Sequence, residues 1–218
     1  MTWTLWLSTP GAAMGPRWHG PRTLWQDRAL ATSNSEVGMK KWLCAVGAAL
    51  ALQTPAWAAL DIGDRAPNFS IQAALGGSVF TFSLADQLAK GPVVLYFFPL
   101  AFSEGCSLEA HQFAEATAQF QALGASVVGV SGDDIDTLSK FSTQACQSKF
   151  AVASDQAKKV VQSYDAIWQS RPEWANRISY VIAPNGSVVY NYVSLNPERH
   201  VEKTLRALKD WSAAKPAK

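Results

Sequence analysis

The chain has 218 residues, a formal net charge of +2 and 48% apolar residues, a composition that suits one globular domain with processing segments, or two small domains, and excludes a disordered chain. Five of the 19 Lys/Arg but only two of the 17 Asp/Glu fall within residues 1–58, so the remainder is close to neutral. The basicity therefore belongs to the leader, and no nucleic-acid-binding surface is implied.

In chain order, residues 1–38 hold four of the nine Trp among scattered Gly and Pro and show neither helical nor strand periodicity. They are expected to be a non-native extension upstream of a true start at Met39. From Met39, "MKKWLCAVGAALALQTPAWA" has a Lys-Lys start, an apolar run from Trp42 to Leu52 and a small-x-small ending at Ala56-Trp57-Ala58. This is the pattern of a secretory signal peptide over residues 39–58, cleaved after Ala58. A buried N-terminal helix is the alternative, and Pro55 and the small ending weigh against it. The run is shorter than the ~20 residues that span a bilayer, so the expectation is an exported, periplasmic protein with no membrane anchor after cleavage. Cleavage would remove Cys44 and leave Cys106 and Cys146, which could form a structural disulfide, act as a redox couple, or be two unrelated thiols.

Residues 59–218 read as one domain, with no internal repeat. "DIGDRAPNFSIQAALGGSVFTFSL" alternates around Gly76-Gly77 and predicts a hairpin; a short helix over Leu84–Ala89 follows. "PVVLYFF" (92–98) is continuously apolar, as a strand covered on both faces should be. "EGCSLEAHQFAEATAQFQALG" places Leu108, Phe113, Ala116, Phe120 and Leu123 at helical spacing and ends at Gly124. A second buried strand covers 125–132. "DDIDTLSKFSTQACQSK" reads as a helix with an Asp N-cap and Cys146 near its end. "FAVASD" suggests a short strand and "QAKKVVQSYDAI" a helix. "RISYVIAPNGSVVYNYV" predicts a hairpin with a type I′ turn at Asn185-Gly186, and "PERHVEKTLRALKDW" an amphipathic helix. The order predicts a βαβ core with an antiparallel addition, or a thioredoxin-like α/β fold with an N-terminal hairpin extension and a central mixed sheet flanked by helices.

The stretch "FPLAFSEGCSLE" sets Cys106 in the first turn of a helix that follows a buried strand. Unpaired N–H groups and the positive end of the helix dipole favour a thiolate there. The plain alternative is a small buried hydrophobe, the commonest role of a free cysteine. A thiolate that attacks a peroxide also needs hydrogen-bond donors, a positive charge and a pocket that limits solvent. Ser103 offers a hydroxyl, Pro99 a wall, and Arg177 a cation at the start of the strand "ISYVI".

"PLAFSEGC" resembles the peroxiredoxin active-site pattern Pro-x-x-x-Thr/Ser-x-x-Cys, with Pro99, Ser103 and Cys106 at the matching positions. The likeness runs from "GDRAPNFSI" through "VVLYFFP", "GCSLEA", "VVGVS" and "RISYVIAPNGSVV" to the last helix, and is nearest the bacterioferritin-comigratory, or peroxiredoxin Q, class. The resemblance implies a peroxidatic Cys106, pocket partners Ser103 and Pro99, and Arg177 as the arginine that stabilises thiolate and peroxide; Glu109 matches the glutamate of the local motif. It implies a thiol peroxidase that takes hydrogen peroxide and alkyl hydroperoxides, with an external thiol reductant, as monomer or homodimer. Three departures stand out. Threonine is replaced by Ser103, His111 occupies the position of a near resolving cysteine, and the spacer Leu100-Ala101-Phe102 lacks the usual Lys-Asp pair. Cys146 remains as the candidate resolver, against a buried structural thiol or a mechanism resolved by an outside thiol.

Other polar residues carry weaker expectations. His111 reads as a surface or dimer-contact residue, His200 beside Glu198 and Glu202 as a solvated helix face, and Trp168 and Trp174 as packing aromatics or a pocket roof. No cluster has metal-ligand spacing and no glycine-rich phosphate loop is present, so neither metal nor cofactor is expected. Two rival functions remain open: a thiol–disulfide oxidoreductase, which would place its nucleophile where Ser103 stands, and a non-catalytic module on the same fold.

Overall fold

The computed structural model describes residues 59–214; the expected upstream extension, the signal segment with Cys44, and the last residues of the tail lie outside them. Seven strands form one mixed sheet in the order β2-β1-β5-β4-β3-β6-β7. β1 (Ser70–Leu75) and β2 (Ser78–Ser83) form the expected hairpin, turned by Gly76 and Gly77, both at positive φ. The hairpin joins the sheet where β1 runs antiparallel to β5 (Ala151–Ser154). The centre is parallel: β3 (Val93–Phe97) lies beside β4 (Ser126–Ser131), and β4 beside β5. β6 (Ile178–Ile182) lies antiparallel to β3, and β7 (Val188–Val193) completes the sheet antiparallel to β6. This is the thioredoxin-like α/β architecture expected.

β3 is buried along its whole length, and its two-residue period divides the core. Val93, Leu95 and Phe97 enter one apolar cluster with Tyr164 and Tyr180; Val94, Tyr96 and Phe98 enter another with Phe113, Phe120, Phe141, Cys106 and Cys146. Both thiols thus lie on one face of the sheet. That face is covered by α2 (Glu104–Ala122), α3 (Ile135–Gln144) and α5 (His200–Ala213). The short α1 (Leu84–Leu88) and α4 (Lys159–Ser163) bury Leu84, Leu88, Val160 and Val161 in the first cluster.

Three expectations need correction. The β6–β7 turn is not type I′, because Gly186 has φ +84 and Asn185 does not enter the left-handed region. Pro184 fixes a negative φ at the second turn position, and Gly186 N–H donates to the Ala183 carbonyl at 2.8 Å, so a type I turn with glycine in fourth place forms instead. Cys146 lies beyond α3, since the helix stops at Gln144 and the chain turns through Gln147 and Ser148, both at positive φ. His200 is fully buried: it shares the inward face of α5 with Thr204 and Leu208, at a spacing of four.

Candidate active site

The strand β3 delivers the chain to Phe98, whose N–H donates to the Val130 carbonyl at 3.1 Å. The loop that follows is anchored by a residue the sequence reading passed over. Asp133 Oδ2 accepts from the Ala101 N–H and from the Ser131 hydroxyl, both at 2.8 Å, and the Ser154 hydroxyl donates to the Asp133 carbonyl at 2.6 Å. This single residue, two positions beyond β4, therefore ties the loop to the ends of two central strands. Phe102 then takes φ +63, a strained conformation for a bulky residue, and sets its ring edge-on against Phe141 at 5.2 Å.

Ser103 is the N-cap of α2, and Cys106 is the third helical residue. The Ser103 hydroxyl donates to the Leu100 carbonyl at 3.0 Å and makes no capping hydrogen bond; it is held by the turn and not by the thiol. Pro99 is half-buried just before that turn. The Cys106 side chain is only 1% exposed, while Leu100, Phe102 and Leu108, its apolar neighbours in the chain, are exposed.

Three residues after Cys106, Glu109 falls on the same face of the helix. Arg177, immediately before β6, reaches both. Its Nη2 donates to Cys106 Sγ at 3.3 Å, its Nη1 to Glu109 Oε2, and its Nε to the Leu195 carbonyl at 3.1 Å. The guanidinium, planar and permanently charged, is thus fixed on three sides and buried. Glu109 is fully buried, and burial pushes its carboxyl up to about 8 against the opposing pull of Arg177.

Cys146 is also buried, and burial pushes its thiol far up. Both cysteines are free thiols. Gln147, next to Cys146, has its amide 2.8 Å from His111 Nδ1, so the turn after α3 touches the second turn of α2. His111 is half-exposed and also pairs with Glu115 at 3.3 Å. Trp168 and Trp174 pack with ring centroids 5.9 Å apart and planes tilted by 37°, with the Arg171 guanidinium 4.7 Å from the Trp174 ring; they brace the segment that leads to Arg177.

Sequence reasoning missed Asp133, Ser179 and the burial of His200. A signal existed for two of them: Ser179 interrupts the otherwise apolar strand "ISYVI", and His200 precedes Thr204 and Leu208 at helical spacing. Among the described residues no group of three or more His, Cys, Asp or Glu side chains is placed to hold a metal ion.

Comparison with known proteins matches residues 62–191 to the model of the AhpC/TSA family. Chloroplastic peroxiredoxin Q of Oryza sativa subsp. japonica is 33% identical over 147 residues, 67% of this chain and 65% of that protein. This chain thus spans just under two thirds of the rice relative. The peroxiredoxin bcp of Helicobacter pylori is 31% identical over 154 residues, covering 68% of this chain and 98% of that one. Among solved structures, peroxidoxin BcpB from Mycobacterium tuberculosis superposes with a TM-score of 0.64 at 25% identity, over 72% of this chain and 99% of that chain. Mycobacterium tuberculosis AhpC, at 22% identity and a TM-score of 0.64, covers 73% of this chain and 97% of its own and shares the fold.

Proposed function

The chain belongs to the AhpC/TSA family, that of the peroxiredoxins, and from that premise we propose that it is a thiol peroxidase whose peroxidatic residue is Cys106. The observation that carries this reading is the 3.3 Å contact between Arg177 Nη2 and Cys106 Sγ at the start of α2. A buried cation and a helix N-terminus together favour the thiolate and the negative charge that develops on a peroxide oxygen during attack.

In the proposed reaction the Cys106 thiolate attacks the terminal oxygen of hydrogen peroxide or an alkyl hydroperoxide. The O–O bond breaks, water or alcohol leaves after taking a proton, and sulfur is oxidised to the sulfenic acid. Arg177 holds the thiolate and the developing oxyanion, and Pro99 and the Ser103 turn shape the approach. Ser103 serves chiefly through its backbone turn, since its hydroxyl is engaged with Leu100.

The second half of the cycle rests on Cys146. Its sulfur would attack the Cys106 sulfenic acid, release water and form an intramolecular disulfide, which an external thiol reduces by two electrons. In this reading the turn after α3 opens to free the buried Cys146 thiol, and the two Cα atoms come within the ~7 Å that a disulfide needs. Two consecutive left-handed residues, Gln147 and Ser148, mark that turn as costly to hold closed. The leader pattern in residues 39–58 supports export to an oxidising compartment such as the periplasm, and the oligomeric state is a monomer or homodimer. Peroxide consumption tests the central reading: wild type should consume peroxide with a thiol reductant and Cys106→Ser should not, whereas equal rates would remove the proposal.

A further inference from the structure

Behind the Cys106–Arg177 pair lies a second polar layer that the proposed reaction does not use. The ring of His200, buried at the first residue of α5, has Nε2 2.8 Å from the Ser194 carbonyl and Nδ1 2.7 Å from the Ser179 hydroxyl. A carbonyl oxygen only accepts, so Nε2 carries a hydrogen. In the neutral ring Nδ1 is then a bare acceptor with one lone pair, and the Ser179 hydroxyl is one donor within reach of it.

Glu109 Oε1 stands 3.5 Å from the same Nδ1. This oxygen is buried and has no hydrogen-bond partner among the described residues. The carboxyl's other oxygen, Oε2, already accepts from Arg177. An ionised Glu109 would aim one lone-pair atom at another in the interior, with no donor between them. One proton removes the conflict, and Oε1 is the position where it meets an acceptor.

We propose that Glu109 Oε1 and His200 Nδ1 hold one buried proton between them, that this proton leaves the Arg177 charge available to Cys106, and that His200 is therefore a positioning residue for the reaction. The inference rests on Cys106 being the reacting thiol. Burial pushes Glu109 up to about 8 and His200 down to about 4, which places the proton on the carboxyl around neutral pH. The groups facing this pair are Tyr96 from β3, Cys106 from the same helix, Arg177 from the start of β6, and Tyr192 from β7, whose ring lies 4.8 Å from that of His200. Arg177 is the cation of the set. With Glu109 neutral, its nearest anion is a Cys106 thiolate; with Glu109 ionised, the carboxylate competes for it.

The test is the pH dependence of Cys106 alkylation by iodoacetamide in the full-length chain, read by mass spectrometry on the Cys106 peptide. His200→Gln keeps a donor toward Ser194 but removes Nδ1. It should raise the alkylation midpoint by about one pH unit, a tenfold loss of thiolate below the midpoint. Glu109→Gln fixes a neutral group, and adding H200Q to E109Q should cause no further shift. Ser179→Ala removes the competing donor and should lower the midpoint or leave it unchanged. The infrared band of a protonated carboxyl should be present in wild type at pH 7 and absent in E109Q. An unshifted midpoint in folded H200Q, an equal H200Q shift in the E109Q background, or a missing carboxyl band would each overturn the proposal; if H200Q does not fold, the carboxyl band and the sign of the S179A shift decide. None of these readouts uses peroxide, so failure of the peroxidase reading would show separately, as peroxide consumption no faster than that of C106S.

Discussion

Arg177 touches Cys106 with one terminal nitrogen and Glu109 with the other, so the charge over the thiol is held by the helix that carries the thiol. Replacing arginine by lysine keeps the charge but loses the fork that makes both contacts at once. Arg177→Lys should lower kcat/KM for hydrogen peroxide by about 100-fold. Stopped-flow peroxide kinetics would check this; a loss under a few-fold would mean that the cation, not its geometry, is what matters.

Cys146 and Cys106 have separable roles in the proposed cycle. Cys146→Ser should leave the first turnover with peroxide near the wild-type rate, while a second equivalent drives Cys106 on to the sulfinic acid. Whole-protein mass spectrometry after one and two equivalents reads both steps. Wild type that forms no disulfide under the same conditions would assign recycling to an outside thiol.

Glu109 and His200 make stability depend on pH with opposite signs. The folded chain holds the Glu109 proton up to about 8, well above the ordinary carboxyl value of 4.5, so rising pH through that window costs folding stability. Buried His200, lowered to about 4 from 6.5, binds its proton less readily when folded, so stability grows with pH below 6.5. The two largely cancel up to 6.5 and leave a net decline of about 2 kcal/mol between pH 6.5 and 8. Urea titrations across that range should show the decline in wild type and its absence in Glu109→Gln.

Gly129 pairs with Tyr96 across β4 and β3, and a Cβ there would come within 2.7 Å of the tyrosine ring. Tyr96 stacks on Phe98 at 5.5 Å and on Phe113 at 4.5 Å, which leaves its ring little freedom to retreat. Gly129→Ala should destabilise the fold by about 1–3 kcal/mol, seen as a lower urea midpoint with an unchanged slope.

The sheet and its helices were legible in the sequence because their signals are local: the continuous apolar run of β3, the alternation around Gly76-Gly77, and the three-and-four spacing of α2. The β6–β7 turn type was missed because Pro184, just outside the Asn-Gly pair, dictated the backbone. At the site, the spacing of Ser103, Cys106 and Glu109 is readable, and Arg177 was reachable through topology. Asp133 was not, and for His200 the helical spacing signalled burial but not its partners, since each acts through contacts with other segments of the chain. His200 sits beside two glutamates in sequence and beside Glu109 and Ser179 in space. Ser103 shows the opposite limit: its place at the turn before α2 was readable, but the direction of its hydroxyl depends on a turn that no motif records.

Asp133 grips the loop before Cys106 through the main-chain N–H of Ala101, not through a side chain of the loop. The placement of the thiol is thereby uncoupled from the chemical character of the exposed spacer residue Leu100. That position is open to redesign: a charged, polar or larger apolar residue there can be accommodated while the sulfur and its arginine stay where the sheet has put them.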